Sequence, residues 1–457
     1  MHRSITTPFT LALALVACGP GDETSETQGA TGGDSDGEEA LTYWRDAESI
    51  LREKCTKCHV DGGIAPFSLE TYDQVKTFGP VLANAIMSGE MPPWPPDPSC
   101  AEYTHARALS EAQEETLLEF LAGDMPEGDP ADRAPDLAPE MELVPDQVLE
   151  MPEAYTPPTA VEDDYRCFLI PWPAELTEPR YVTGLEVYPG ERRIVHHVIV
   201  YAVASAQVQG YVDRDDAEPG PGYTCFGGPG PSDGSARWIG AWVPGMVPFF
   251  APEGVGQQID PGTTLVMQVH YHPIGMELPD RSSIALELAS SVERLGEVAP
   301  LADVAWIFGG GAMTIPAGDA DVTHEVTITR DHPILQNVLN TRLGLGPDDP
   351  VEVINAGMHM HLFGTRGRVE IRDPAGGAPT CLVDIPRWDF NWQSYYEFAE
   401  PKRLAPGQEI NVQCWWDNSA QNQPFVGGQQ LEPVTRDWGD GTLDEMCLGI
   451  LYLTSVG

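Results

Sequence analysis

The feature that most constrains the fold is a series of short, β-branched runs that begins after residue 140. Stretches such as RRIVHHVIVYAV, TTLVMQVHYH and LGILYL alternate with turns rich in glycine and proline, of which the chain has 46 and 43. Short strands joined by such turns are typical of antiparallel sandwiches. About 320 residues are too many for one sandwich. The sequence therefore predicts two all-β sandwich domains, over residues 141–297 and 298–457.

The charge of the chain excludes one large class of partners. Lysine and arginine total 25 against 70 acidic residues, which gives a formal net charge of −45. A surface of this sign repels nucleic-acid phosphates and anionic membrane faces, so no nucleic acid is expected as a partner. After the N-terminus no apolar run reaches 18 residues, and no transmembrane helix is expected.

The N-terminus is typical of an exported lipoprotein. Residues 1–17 form a short apolar signal peptide that ends in small residues before Cys18, the predicted lipidation site. The alternative is an ordinary secretory signal with an incidental cysteine. Residues 18–40 are acidic and glycine-rich and predict a flexible tether. Gly19 favours the outer membrane, so we expect a lipid-anchored protein, periplasmic or surface-facing, whose other cysteines can oxidise.

Residues 41–128 are expected to form a small all-α domain, followed by a Pro- and Asp-rich linker over 129–140. Ser110 and Gln113 form a predicted capping box at the start of its last helix.

A C-x-x-C-H motif lies within this helical segment, at Cys55, Cys58 and His59. Two thiols one helical turn apart can bond to the two haem vinyl groups, and the adjacent histidine then lies under the iron. A zinc site would need further ligands, and only the isolated Cys100 and His105 are near in sequence. A thioredoxin-like motif would need a βαβ pattern, which is missing. The motif therefore predicts one covalently attached c-type haem.

The sixth haem ligand is predicted to be Met91, in the proline-rich sequence GEMPPW. Flanking prolines fix a loop that must present one side chain. Met87 and Met125 are the alternatives, and any of the three could instead pack in a core. The stretch from Gly62 to MPPW resembles small c-type cytochrome domains.

Histidines are concentrated in the β-rich region. Of 11 histidines, six form three tight groups: His196 and His197, His270 and His272, and His359 and His361. Residues i and i+2 of a strand share a face, so each His-x-His pair can hold one metal. Adjacent histidines can bind one metal only where the strand is twisted or bulged. Spacing leaves open which of His270 and His272 is a ligand, and composition leaves open copper, zinc or iron.

Four segments resemble the copper type II, ascorbate-dependent monooxygenases, the family of peptidylglycine α-hydroxylating monooxygenase and dopamine β-monooxygenase. RRIVHHVIVY resembles the family's paired-histidine strand, and LVMQVHYH its Q-V-H-Y segment. MHMHLFG resembles its H-x-H-x-x-G segment, and TLDEMCLGILYL its D-E-M-C segment. The four occur in the family's order across the β-rich region.

The resemblance implies two jelly-roll-like sandwiches with one copper each. One site would consist of His196, His197 and His270, and the other, catalytic one of His359, His361 and Met446. In the family the three-histidine copper stores and passes an electron, while the other binds and activates dioxygen. This implies hydroxylation of a C–H bond of a small organic substrate by O2. The fused haem would carry electrons from an ascorbate-like reductant or a redox protein, or it would serve a separate partner.

The chain departs from the peptide-amidating member at its substrate-binding positions. That member has an arginine two residues before its H-x-H, where this chain has Gly357. Its asparagine and tyrosine after the Met-Cys pair are Leu448 and Ile450 here. A peptide carboxylate would find no partner, and a small, more apolar substrate is expected.

The resemblance also implies two disulfides, Cys167 with Cys225 and Cys414 with Cys447. Cys100 and Cys381 remain unassigned. A second function class is a surface lipoprotein that binds copper or relays electrons without catalysis.

Overall fold

The computed structural model describes residues 40–136, 141–161, 163–225, 228–231, 235–309, 311–426, 429–439 and 441–457. The predicted signal peptide, the lipidation site Cys18 and almost all of the tether lie outside these residues. The α-helices of the described parts are α1 (Glu48–Lys54), α2 (Tyr72–Met87), α3 (Glu111–Ala122), α4 (Gln209–Ala217), α5 (Val304–Phe308) and α6 (Pro333–Gln336). None of them is long and apolar enough to cross a membrane.

The strands begin at residue 147 and continue to the C-terminus. They are β1 (Gln147–Glu150), β2 (Asp164–Pro171), β3 (Arg180–Tyr188), β4 (Val195–Val203), β5 (Tyr223–Thr224), β6 (Ala236–Trp242), β7 (Phe249–Phe250), β8 (Val255–Ile259), β9 (Thr264–Tyr271) and β10 (Ser283–Ala289). The second half contains β11 (Arg294–Leu301), β12 (Val322–Ile328), β13 (Val351–His359), β14 (Gly364–Arg372), β15 (Thr380–Ile385), β16 (Tyr395–Leu404), β17 (Glu409–Trp416), β18 (Phe425–Val426), β19 (Gln429–Gln430) and β20 (Leu448–Ser455).

The segment before the strands is a helical unit with its own core. Helices α1 to α3 bury Leu51, Val75 and Leu117 against one another. The predicted capping box of Ser110 and Gln113 is confirmed, since each side chain bonds the other residue's backbone N–H at the start of α3. That this unit is a cytochrome c-like domain stays a prediction.

Part of the expected linker packs against the helical unit. The guanidinium of Arg133 lies 3.0 Å from the Glu48 carboxylate, and Arg52 bonds Asp136 at 2.7 Å. Residues 129–136 therefore lie along α1. The composition of this segment could not show this, because the ion pairs reach back about 80 residues along the chain.

Three sheets build two sandwiches. A nine-stranded sheet has the order β1-β10-β3-β8-β11-β20-β13-β16, with β7 paired to β3. A five-stranded sheet, β5-β2-β9-β4-β6, packs on its first part and buries residues such as Phe168 and Val187. A four-stranded sheet, β12-β17-β14-β15, packs on its second part around Val353 and Val412. The β-sandwich prediction is confirmed, but the two sandwiches share one continuous sheet.

The expected boundary between residues 297 and 298 falls inside β11. This strand pairs in parallel with β8 at residues 294–295 and antiparallel with β20 at residues 296–301. Strand β11 thus joins the two parts of the shared sheet.

Three disulfides join described cysteines. Cys167–Cys225 and Cys414–Cys447 are the two pairs that the family resemblance implies. The pair that the sequence left open, Cys100 and Cys381, is also bonded, across 281 residues. This third bridge ties the helical unit to the C-terminal sandwich.

Candidate metal centres

A β-bulge brings the adjacent histidines of β4 to one side. Strand β4 pairs with β9, where Val195 lies opposite Tyr271 and His197 opposite His270. His196 is therefore the extra residue of a bulge, the irregularity that two adjacent ligands require. The sequence predicted that a twist or bulge would be needed, and the register supplies it.

The three imidazoles His196, His197 and His270 converge. The Nδ1 atom of His197 lies 3.3 Å from the Nδ1 atoms of both His196 and His270. Two nitrogens bound about 2.05 Å from one metal at a tetrahedral angle are about 3.3 Å apart. All three ligand atoms lie within 4.8 Å of one another. The donor set fits a single metal ion with three imidazole ligands.

Burial keeps these imidazoles neutral, which metal binding requires. It lowers the pKa of His196 to about 3 and that of His197 well below its ordinary value. The pKa of His270 is also lowered by burial, although Asp163 opposes the shift. The Nε2–H of His270 donates to Asp163 at 2.7 Å, so its Nδ1 is left for a metal. A carboxylate in this place orients the ligand ring.

His272 lies outside the cluster. Strand β9 ends at Tyr271, and the side chain of the next residue, His272, is 53% exposed. Its Nδ1 lies 3.4 Å from the Asp163 carboxylate. Of the two candidates that strand spacing left open, the structure places His270 with the paired histidines.

The second histidine pair lies where β13 ends. His359 is the last residue of β13, and its Nδ1–H donates to Oε1 of Gln393 at 2.5 Å. The Nδ1–H of His361 donates to the Asp444 carbonyl at 3.2 Å, and the two ring centroids are 5.0 Å apart. Burial lowers the pKa of His359 and lowers that of His361 to about 3. Both rings are neutral with Nε2 available to a metal.

Met446 is buried and lies two residues before β20, the strand that pairs with β13. The last pair of that register sets His359 opposite Leu448. The buried carboxylate of Glu445 accepts the backbone N–H of His361 at 2.9 Å and that of Met446 at 3.3 Å. One carboxylate thus holds both segments in place.

The loop of residues 386–394, between β15 and β16, contacts both histidine groups. The Phe390 ring centroid lies 6.4 Å from that of His270 and 6.0 Å from that of His361. The two imidazoles are therefore at most 12.4 Å apart, the sum of these distances. The indole N–H of Trp388 donates to the His361 carbonyl at 3.0 Å. The Phe390 ring thus contacts one histidine of each candidate site.

A cavity of about 410 Å³ lies in the helical unit and borders the first cluster. Cys55, Cys58, His59 and Met91 line one side of it, and His196 and His272 line the other. The two thiols are unpaired, and the backbone N–H of His59 bonds the Cys55 carbonyl at 3.0 Å, as in one helical turn. The Nδ1–H of His59 donates to the Phe67 carbonyl at 3.0 Å, which leaves Nε2 as a ligand atom.

The alternative sulfur ligands do not line this cavity. Met87 is 63% exposed at the end of α2, and Met125 packs against Gly79 of the same helix. Met91 is the candidate that the structure places on the cavity wall.

Three residues of these sites were not predicted from the sequence: Asp163, Gln393 and Phe390. Each lies in or next to a loop, distant along the chain from the histidine it contacts. No local motif marks them, because their role depends on strand pairing. Glu445 had a signal, since it directly precedes the expected ligand Met446.

Comparison with known proteins gives one family match. Residues 148–277 match the model described as "Copper type II ascorbate-dependent monooxygenase, N-terminal domain". This range contains His196, His197 and His270 and ends before His359. The match supports the resemblance to that family, and with it an oxidoreductase that binds copper, through the segment that forms the three-histidine cluster.

Two curated relatives extend the similarity. "DBH-like monooxygenase protein 1" of Gallus gallus is 25% identical over 300 residues, or 63% of this chain and 44% of the relative. "Putative DBH-like monooxygenase protein 2" of Homo sapiens is 26% identical over 305 residues, or 64% of this chain and 54% of the relative. The chain thus spans about half the length of these relatives. Among solved structures, the match to the major capsid protein P2 of bacteriophage PM2 covers 68% of this chain and 96% of that protein at 9% identity. Its TM-score of 0.22 is too low to indicate a shared fold.

Proposed function

We propose that this protein is a copper-dependent monooxygenase that hydroxylates a C–H bond of a small organic substrate. The observation that carries the proposal is the convergence of His196, His197 and His270 within the segment that matches the family model. The net reaction joins C–H, O2, two electrons and two protons to give C–OH and water. Copper at the two sites would supply electrons and activate dioxygen.

The chain's own residues would divide these tasks. Three neutral imidazoles, one of them oriented by Asp163, suit an ion that accepts and passes one electron. His359 and His361 each keep Nε2 free, and a Met446 thioether beside them would favour the cuprous state that dioxygen requires. Glu445 holds the segments of His361 and Met446 together.

We further propose that a covalent haem on Cys55 and Cys58, with His59 and Met91 as axial ligands, delivers the electrons. The cavity that these residues line is bordered by His196, so an electron would have a short path to the three-histidine site. Burial raises the pKa of the Cys55 thiol to about 12, which argues against a reactive dithiol at this motif. The electron donor would be an ascorbate-like reductant or a redox protein.

Export with a lipid anchor at Cys18 on the outer membrane is also a proposal. Three disulfides among the described cysteines support an oxidising compartment.

The proposal is tested with ¹⁸O2. Copper-loaded protein is reduced with ascorbate and mixed with ¹⁸O2 and a panel of single-ring aromatic and short aliphatic compounds. We expect ¹⁸O in an organic product, and none with His359→Ala, which keeps the three-histidine site. Full copper loading without incorporation of label would contradict catalysis and favour a non-catalytic copper-binding or electron-relay protein.

A further inference from the structure

Three cavities border the loop that follows β6. The inner cavity, of about 50 Å³, is lined by His197 and His359. A first outer cavity, of about 80 Å³, has His105 on its wall, and a second outer cavity, of about 260 Å³, has Cys58. Both outer cavities lie between the helical unit and the sandwiches. Among the described residues, Met246 of this loop is the one that lines all three cavities.

The loop is a tight turn whose conformation follows from its sequence. The Met246 N–H donates to the Val243 carbonyl at 3.1 Å, which closes a β-turn. Pro244 occupies the second position of this turn, and Gly245 the third, with a φ of +77°. A type II turn requires a positive φ at its third position and favours proline at its second. The backbone that carries Met246 is therefore held in one conformation.

The helical unit packs against the same turn. Nη1 of Arg107 donates to the Pro244 carbonyl at 3.3 Å. A Cβ atom at Gly245 would lie 2.7 Å from that nitrogen and 2.9 Å from Sγ of Cys58. Any side chain at this position would push the turn away from the C-x-x-C-H motif. The turn is thus fixed by its own hydrogen bond on one side and by the helical unit on the other.

The Met246 side chain is the part of this junction that can move. Ala241, Trp242 and Tyr395 each line the inner cavity and one outer cavity, and they lie in strands β6 and β16, where strand pairing holds them. Methionine is unbranched and has three rotatable bonds, so it changes rotamer at little cost. Met246 can therefore move while its backbone and the neighbouring walls stay in place.

We propose that Met246 is a gate between the two outer cavities and the inner cavity. In its resting position the side chain separates a molecule in either outer cavity from His359, and a change of rotamer lets a small molecule pass. The inference rests on the proposed function for its meaning, since it makes Met246 the residue that limits the size of a substrate on its way to His359. It also gives the helical unit a second role, because Arg107 and Cys58 hold the turn that carries the gate.

Chemical labelling of histidines measures passage through this gate. Diethyl pyrocarbonate modifies neutral imidazoles; His359 lines the inner cavity, whereas His105 is exposed and lines the first outer cavity. The full chain, freed of copper by a chelator, is labelled for increasing times, and peptide mass spectrometry quantifies each histidine. Met246→Ala should raise the labelling rate of His359 at least about tenfold, or about 1.4 kcal/mol in the barrier. The labelling rate of His105 should not change.

Two further variants make the test specific. Met276 is 52% exposed and lines none of the three cavities, so Met276→Ala should leave the labelling of His359 unchanged. Met246→Phe places a stiffer side chain at the junction and should slow the labelling of His359 below the parent rate. An unchanged rate for His359 in both Met246 variants would overturn the gate. Equal acceleration of His105, or the same effect from Met276→Ala, would also overturn it.

The labelling experiment uses no copper and no oxygen, so its outcome is separate from that of the ¹⁸O2 experiment. Incorporation of ¹⁸O together with an unchanged His359 rate in Met246→Ala would overturn only the gate. Faster labelling of His359 in Met246→Ala without any ¹⁸O incorporation would support the gate and contradict the monooxygenase.

Discussion

His196 occupies its place in the first cluster because of one irregular position in β4. In a regular strand its side chain would point away from that of His197. The bulge between Val195 and His197 removes the conflict, while Asp163 fixes the ring of His270 from the opposite side. A single-residue backbone irregularity therefore determines whether three imidazoles can share one ion.

The two histidines around Tyr271 provide a matched test of this cluster. His270→Ala should remove the copper of the three-histidine site, because it leaves two ligands. His272→Ala should keep both coppers, since His272 lies outside the cluster. Copper content and the electron paramagnetic resonance signal measure both variants. Loss of copper from His272→Ala with retention in His270→Ala would reverse the ligand assignment.

Met446 tests the second site at the level of one atom. Met446→Ile keeps a similar apolar volume, so the cost in stability should stay below about 1.5 kcal/mol. Without the thioether, the site should hold cuprous copper more weakly and consume less dioxygen. Thermal unfolding and an oxygen electrode measure the two effects. Unchanged oxygen consumption in a folded variant would make Met446 a packing residue.

For single residues, the sequence was sufficient to name the candidate metal ligands but not the side chains that bond and orient them. Motif spacing identified the histidine pairs, and the family resemblance selected His270. Strand spacing alone could not choose between His270 and His272, because it does not show that β9 ends at Tyr271. Asp163 and Gln393 were missed for a related reason, since they meet their histidines only after folding.

The loop of residues 386–394 is the element that joins the sites. It bonds His359 through Gln393 and the His361 carbonyl through Trp388, and its Phe390 ring contacts both groups. Asn391 and Trp392 of the same loop line the cavity that carries Cys55 and Cys58. One connection between two strands thus touches all three proposed centres.

Gln393 gives this loop a measurable role. Gln393→Ala removes the acceptor that orients His359, and loss of such a partner typically weakens metal binding 10–100-fold. Copper titration should show this loss at the second site alone. Asn391→Ala is the control, since that side chain bonds only Asp389 within the loop. Equal copper affinity in the two variants would mean that the loop does not orient the ligand.

Strand composition predicted the β-architecture, but it could not predict that the two sandwiches share one sheet. Alternating hydrophobic runs specify strands and a buried face. They do not specify that β11 pairs with β8 on one side and β20 on the other. Such pairing depends on contacts between strands that are far apart in sequence, which no local pattern records.

At the scale of the molecule, the helical unit is joined covalently to the C-terminal sandwich. The Cys100–Cys381 bridge lies beside a hydrogen bond of 2.8 Å from the Tyr103 hydroxyl to the Leu382 carbonyl. Backbone bonds join Thr104 to Glu397 as well. These contacts hold the Cys55 and Cys58 cavity against His196, which the proposed electron path requires.

Removing this bridge tests the connection. The double variant Cys100→Ser and Cys381→Ser should lower stability by about 2–5 kcal/mol, the usual effect of losing a native disulfide. The helical unit should then unfold at a lower temperature than the sandwiches, while copper content stays unchanged. Calorimetry would reveal a separate early transition. A single transition at the original temperature would show that the other contacts suffice.

The most direct test of the central claim is the copper content of the purified chain. Two donor sets, three imidazoles in one and two imidazoles with a thioether in the other, predict two coppers for every chain. Elemental analysis by mass spectrometry should therefore give two, falling to one in both His270→Ala and His359→Ala. One copper or none in the parent chain, or two retained in either variant, would contradict the account.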